Sequence, residues 1–318
     1  MKDSFGREIN YLRISVTDLC NLRCQYCMPA EGICKAEHED ILSFEDFYKI
    51  TKALSELGVR KVRVTGGEPL VKRDIVNFIS RIDKLENIEE IAMTTNGVLL
   101  EEYAEDLKKA GLDRVNISLD TLDSEKYAEI TRFGNIDDVM KGIEKAKEVG
   151  LTPIKINAVL IDGFNIDEIP NLVELTRNEN IDVRFIELMP IGEVLKFKDK
   201  KTISGDIVLE KVPELKPAER DDPSSPAVYY QLENGTGKVG IIRPITCKFC
   251  EDCNRVRLTS KGFLKLCLHS NNDIDLKPYL DDYEKLKEVL RDAIMAKPEE
   301  HHLEDGEFVE TSMSKIGG

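Results

Sequence analysis

Between Tyr11 and about Met189, short apolar runs rich in β-branched residues alternate with longer stretches whose apolar positions recur every three or four residues. Tyr11–Val16, Lys61–Thr65, Glu90–Thr94, Arg114–Leu119, Ile154–Leu160 and Asp182–Leu188 have the length and composition of strands. Phe44, Phe47, Ile50, Leu54 and Leu57 fall on one helical face, with Ser43 placed to cap its start and Gly58 to end it in the left-handed region. Ile75, Phe78, Ile79, Ile82 and Leu85 form a second stripe, and Gly111 and Gly150 each follow a further periodic segment. Repeated strand–helix units predict a parallel sheet with right-handed crossovers. The alternation stops after six units, whereas a complete eight-unit barrel takes about 250 residues. An open doubly wound sheet and an incomplete barrel both satisfy the pattern.

Beyond Met189 the periodicity breaks down. Lys216–Pro226 is rich in proline, serine and charge and reads as an exposed loop. Val228–Leu232 and Lys238–Ile242, joined through Asn234-Gly235, predict a β-hairpin, and a helix is expected around Tyr283–Met295. The expected organisation is a larger α/β domain over residues 1–190 and a smaller α+β cap over 191–318.

With 41% hydrophobic and 33% charged residues, the chain of 318 has enough apolar content for a sizeable core. Its net charge of −15 argues against duplex nucleic acid as a partner, because phosphate repulsion would oppose a broad contact. No apolar run approaches the roughly 20 residues that span a bilayer, and the segment from Met1 to Ser4 lacks a secretory apolar stretch. A cytoplasmic protein with no membrane partner is expected. Eight cysteines fall in two tight groups, Cys20 to Cys34 and Cys247 to Cys267. In a reducing compartment such groups hold metals or clusters more often than disulfides.

Cys20, Cys24 and Cys27 form a CxxxCxxC motif after the first strand. Three thiolates in one loop can bind three corners of a [4Fe–4S] cluster and leave the fourth iron free. A structural zinc site is the alternative, with Cys34 or His38 as fourth ligand. Gly66-Gly67-Glu68-Pro69 closes the second strand, and a glycine pair there can expose backbone N–H and C=O groups to a small ligand. The cysteine loop, Gly67, Thr94 to Gly97, Ser118 with Asp120, Asn157 and Met189-Pro190 all sit at or near carboxyl ends of strands, where parallel α/β folds collect their chemistry. In the second group, Cys247, Cys250, Cys253 and Cys267 have the spacing of a zinc site, while Cys250, Cys253 and Cys267 alone could hold another open-cornered cluster.

CxxxCxxC with an aromatic at position 26, followed one strand later by GGEP, resembles the radical S-adenosylmethionine superfamily. The resemblance implies an incomplete (β/α)6 TIM-like barrel closed by the C-terminal domain. Four further segments are similar to the GTP 3′,8-cyclase family of molybdenum cofactor synthesis: YLRISVTDLCNLRCQYCMP, RFIELMPIG, FCEDCNRVRLT with Cys267-Leu268, and the terminal Gly317-Gly318. The likeness runs from Gly6 to Gly318, nearly the whole chain. Cys247 departs from that family's pattern, so the choice of thiolates at the second group is open.

This resemblance implies two [4Fe–4S] clusters, on Cys20, Cys24 and Cys27 and on Cys250, Cys253 and Cys267, with S-adenosylmethionine held by Tyr26, Gly66, Gly67, Glu68, Ser118 and Met189. It implies GTP as substrate, in contact with Arg13, Arg63, Thr94, Lys155, Arg184, Arg255 and Arg257, and a Gly317-Gly318 tail that reaches the active site. The expected chemistry is hydrogen removal from C3′ of the ribose by a 5′-deoxyadenosyl radical, then attack of that carbon on guanine C8. A flavodoxin- or ferredoxin-like electron donor, a downstream cyclic pyranopterin monophosphate synthase and a homodimer complete the expected partners. The arginines add a physical reason: guanidinium forks bind phosphate oxygens in pairs, each hydrogen bond to a charged group contributing about 1.5–3 kcal/mol. With 60 acidic residues in the chain, Arg63 and Arg184 could instead point outward and pair with carboxylates. A peptide-modifying radical enzyme with an auxiliary cluster and a zinc-stapled, non-catalytic binding protein are the two rival functions.

Overall fold

The computed structural model describes residues 1–33, 41–196, 202–220, 222, 224–301 and 312–317. Six strands arise where the apolar runs fall: β1 (Tyr11–Ser15), β2 (Lys61–Thr65), β3 (Glu90–Thr95), β4 (Arg114–Ser118), β5 (Ile154–Leu160) and β6 (Ile181–Glu187). Between them come α1 (Phe44–Glu56), α2 (Ile75–Asp83), α3 (Leu100–Lys109), α4 (Ser124–Thr131), α5 (Ile136–Glu148) and α6 (Ile169–Glu174). Ser43 and Asp46 form a reciprocal capping box at the start of α1. Adjacent strands pair in parallel in the order 1-2-3-4-5-6, without the reversal of a doubly wound sheet.

The later chain extends this same sheet at both ends. After α7 (Ile207–Lys211) come β7 (Lys216–Pro217), β8 (Ala227–Gln231), β9 (Val239–Ile242), β10 (Arg255–Leu258), β11 (Phe263–Lys265) and β12 (Asp273–Asp275), then α8 (Tyr283–Met295) and α9 (Met313–Ile316). The hairpin expected around Asn234 is β8–β9. Its second strand lies parallel to β6, while β10 lies parallel to β1. The sheet of 12 strands runs from β12 to β7 and does not close. Among the described residues, no helix is long and apolar enough to cross a membrane.

Side chains alternate strictly along the central strands. Leu12, Ile14, Val62, Val64, Val115, Ile117, Ile156, Val183, Phe185, Val256 and Leu258 are buried in the apolar core under the helices. Their neighbours on the other face are largely polar. Register aligns Arg257, Arg13 and Arg63 across β10, β1 and β2, and aligns Asn116, Lys155 and Asp182 across β4, β5 and β6. A parallel sheet covered on both faces would be apolar on both. Here one face lines a cavity.

Candidate active site

That cavity has a volume of about 590 Å³ and follows the strands along their length. Cys20, Cys24 and Cys27, in the loop after β1, bound it at the strands' carboxyl end, and Lys61, Glu90 and Arg114 bound it at the amino end. The second cysteine trio sits near that amino end, because Cys250 and Cys253 precede β10, which runs parallel to β1. The antiparallel register Arg257↔Lys265 and Leu258↔Leu264, continued by two residues, sets Cys267 level with Arg255, close to Cys253. The chemistry is therefore spread along the sheet face rather than gathered only at the carboxyl ends, as the sequence led us to expect. Five residues of β1, about 13 Å of strand, separate one end from the other.

The loop that carries the first trio is held by internal bonds. The N–H groups of Cys27 and Met28 both donate to the Cys24 carbonyl, and Arg132 donates to the carbonyls of Arg23 and Met28. Tyr26 donates its hydroxyl to Asp120 at 2.7 Å, whose other carboxylate oxygen accepts from the Val159 N–H at 2.8 Å. Burial pushes the Asp120 carboxyl up to about 6. Burial also pushes the Cys27 thiol up to about 12 and Cys24 well above its ordinary value, each helped by neighbouring cysteines.

Gly66 and Gly67 let that loop approach closely. A Cβ at Gly66 would stand 2.6 Å from the Thr17 carbonyl oxygen, and one at Gly67 would meet the carbonyls of Asp18 and Leu19. The Gly67 and Glu68 N–H groups donate to the Thr17 and Leu19 carbonyls at 2.7 and 2.8 Å. Contrary to expectation, these two donors are spent inside the protein, so the turn can offer a ligand's ammonium its carbonyls but cannot offer them to a carboxylate. Glu68 is also corrected. Its side chain is fully buried off the cavity wall and accepts from Leu70 N–H, Thr95 Oγ1 and Asn96 N–H. Burial outweighs these donors and pushes its carboxyl up to about 7. Asn96 donates in turn to Asn21, so Glu68 positions the cysteine loop from behind. Ser118 and Met189 do line the cavity.

Arg13, Arg63, Thr94, Lys155, Arg184, Arg255 and Arg257 all line it as well. Lys155 pairs with Asp182 at 3.1 Å, and Arg184 donates to the Tyr229 hydroxyl at 2.6 Å. Neither Arg63 nor Arg184 turns outward, and among the described residues neither pairs with a carboxylate. Tyr11 Oη, Arg13 Nε, Arg63 Nε, Thr94 Oγ1, Asn157 Oδ1 and Arg255 Nε are buried without a partner among the described residues. Burial first, then Arg257, holds Arg13 down to about 9; burial first, then Arg255, holds Arg257 down to about 10. Crowded cations with unmet donors make this wall strongly electropositive.

Sequence reasoning missed Tyr11, Arg114 and Tyr229. The Tyr11 ring lies under both Arg13 and Arg63, at 5.7 and 5.4 Å from their guanidinium carbons. Burial raises its phenol, but Arg63, Arg13 and Arg114 together outweigh that and leave it below the ordinary value. Alternation in β1 was the available signal for Tyr11, since it precedes Arg13 by two positions.

The end of the chain enters the same space. Met313 and Ser314 line the cavity, and Ile316 packs on Ile191 near Met189 and Leu268. Arg257 donates to the Gly317 carbonyl at 2.6 Å. Gly317 has φ +78°, and a Cβ there would stand 2.8 Å from Thr65 Cγ2. Gly318 lies outside the described residues, as do Cys34 and His38.

Residues 14–176 match the family model described as the radical SAM superfamily, and residues 181–303 match the one described as Molybdenum Cofactor Synthesis C. A GTP 3′,8-cyclase from Peptoclostridium acidaminophilum is 56% identical over 99% of this chain and 98% of its own. The chain belongs to the GTP 3′,8-cyclase family. A second GTP 3′,8-cyclase, from Alkaliphilus oremlandii, is 54% identical over the full length of both chains. Streptococcus suis SuiB superposes with a TM-score of 0.58 at 19% identity, covering 90% of this chain and 68% of that one, a likeness of fold alone.

Radical SAM membership brings an iron–sulfur cluster and S-adenosylmethionine, and the donor set of this GTP 3′,8-cyclase family chain fits the cluster. All three thiols of the first trio are free and share one wall. Among the described residues, no three His, Cys, Asp or Glu converge closely enough to share a single metal ion. A cubane does not require that convergence, because each thiolate binds a different iron. Cys250, Cys253 and Cys267 are partly buried and free, whereas Cys247 is exposed. Burial raises the Cys253 thiol, but Lys297, Arg255 and Arg7 outweigh it and draw it down to about 7.

Proposed function

We propose that this chain converts GTP to (8S)-3′,8-cyclo-7,8-dihydroguanosine 5′-triphosphate at the start of molybdenum cofactor synthesis. One observation carries this reading: the cavity has a cysteine trio at one end, the surroundings of a second trio at the other, and between them arginines of which Arg13, Arg63 and Arg255 keep an Nε without a partner among the described residues. Cys20, Cys24 and Cys27 would hold one [4Fe–4S] cluster, and Cys250, Cys253 and Cys267 would hold a second on the substrate side of the cavity. With S-adenosylmethionine bound, the first cluster supplies the one-electron chemistry that generates a hydrogen-abstracting radical. Tyr26, the Gly66-Gly67 carbonyls, Ser118 and Met189 hold S-adenosylmethionine there. Arg13, Arg63 and Arg257 receive the triphosphate, with Thr94, Lys155, Arg184 and Arg255 around it, and the Gly317 carbonyl keeps Arg257 aimed into the cavity.

We read β1–β6 as an incomplete (β/α)6 barrel within residues 1–190. Residues 191–318 form the part that closes its open side, and Phe249, Leu268 and Tyr229 on the cavity wall support that reading. A flavodoxin- or ferredoxin-like donor reduces the clusters, a cyclic pyranopterin monophosphate synthase takes the product, and the enzyme acts as a homodimer in the cytoplasm.

The test is anaerobic turnover with S-adenosylmethionine and either GTP or ATP. Consumption of GTP at least about a hundredfold faster than ATP is expected, because guanine recognition at a built polar site is worth several kcal/mol. Equal rates would point to a different radical reaction.

A further inference from the structure

The chain just after α8 passes close to the second trio and carries a buried cation that forms no ion pair with a carboxylate among the described residues. Lys297 is 2% exposed. Its ammonium donates to the carbonyls of Arg255, at 3.0 Å, and Leu266. Among the described residues it forms no ion pair. Two neutral oxygens serve two of its three N–H donors, and a buried ammonium left without an anion is costly. The two carbonyls are not arbitrary: Arg255 lies two residues after Cys253, and Leu266 immediately precedes Cys267. Arg7 completes the arrangement. It donates to the Cys250 carbonyl at 3.0 Å and to those of Pro298 and Glu299 at 2.6 Å each. Residues 297–299 are thereby tied to the backbone around all three cysteines, and Lys297 is not on the wall of the main cavity.

We propose that Lys297 is a positioning residue for the second metal site, fixing Cys253 against Cys267 and supplying the positive charge that offsets a thiolate-bound cluster. This rests on reading that trio as a cluster site. A cluster gains one negative charge on reduction, and a fixed cation nearby in a low-dielectric surrounding favours the reduced state. The lysine thus sets both how firmly iron is held and how readily this cluster accepts an electron.

The test uses the full chain with Cys20, Cys24 and Cys27 changed to alanine, reconstituted anaerobically so that only the second site can fill. This parent should hold about four irons. Lys297→Met should shift the one-electron reduction equilibrium about tenfold toward the oxidised form, ~59 mV more negative, in a redox titration followed by electron paramagnetic resonance. It should also lose iron faster to a chelator. Lys297→Arg, which keeps the charge, should restore the potential. An unchanged potential in Lys297→Met, or an arginine variant shifted as far as the methionine one, would overturn the proposal. Should Lys297→Met not fold, Lys297→Gln carries the same comparison. A parent without iron would instead overturn the cluster reading, and this proposal with it.

Discussion

Cys27→Ala is expected to abolish GTP conversion while leaving the protein folded, and to lower bound iron from about eight per chain to about four. Cys27 bounds the cavity beside Cys20 and Cys24, and its own N–H closes a turn onto the Cys24 carbonyl that alanine can keep. The buried turn is therefore retained, while the ligand and the Ser314 N–H bond that its sulfur accepts are lost. The four irons left behind would belong to the second trio, and their retention separates loss of one site from collapse of the protein. Iron and sulfide assays with circular dichroism check this. Full turnover in Cys27→Ala, or loss of all iron, would contradict it.

Arg257→Met is expected to lower kcat/KM for GTP by two to four powers of ten. Arg257 stands in register with Arg13 and Arg63 at the β10 end of that arginine row, and its Nη1 donates to the Gly317 carbonyl at 2.6 Å. Losing two charge-assisted hydrogen bonds, the one proposed to the substrate and the one to the Gly317 carbonyl, removes about 3–6 kcal/mol, at roughly 1.4 kcal/mol per tenfold. Methionine fills the same volume, so β10 should persist and iron content should not change. Arg257→Lys keeps the charge but not the planar fork and should recover only part of the loss. Steady-state kinetics under anaerobic conditions decide it, and a change below tenfold would show that neither bond contributes to turnover.

Much of this architecture was legible before any coordinates. The six apolar runs mark β1–β6 to within a residue, because buried parallel strands leave a strong local signal. Pairing of β10 with β1 left none. It joins Tyr11 to Arg255, two positions far apart in the chain, through a strand of four residues. That pairing decides where the second trio stands relative to the first. The wet face of the sheet, in contrast, was written in the strands themselves. Tyr-Leu-Arg-Ile-Ser, Lys-Val-Arg-Val-Thr and Arg-Val-Asn-Ile-Ser alternate polar and apolar residues, where strands covered on both faces would be nearly all apolar. Read that way, Tyr11, Lys61 and Arg114 fall on the same face as the arginines. Glu68 shows the opposite limit. It lies inside a motif and has the chemistry of a ligand, yet its oxygens are taken by Leu70, Thr95 and Asn96. Only the fold brings Thr95 and Asn96 to it.

The most direct test of a shared chamber for radical source and nucleotide is isotopic. GTP bearing deuterium at C3′ should pass that deuterium to the 5′-deoxyadenosine formed from S-adenosylmethionine, so that each molecule formed is about one mass unit heavier. Cleavage of S-adenosylmethionine at the usual rate with no deuterium in 5′-deoxyadenosine would mean that the radical never meets the ribose.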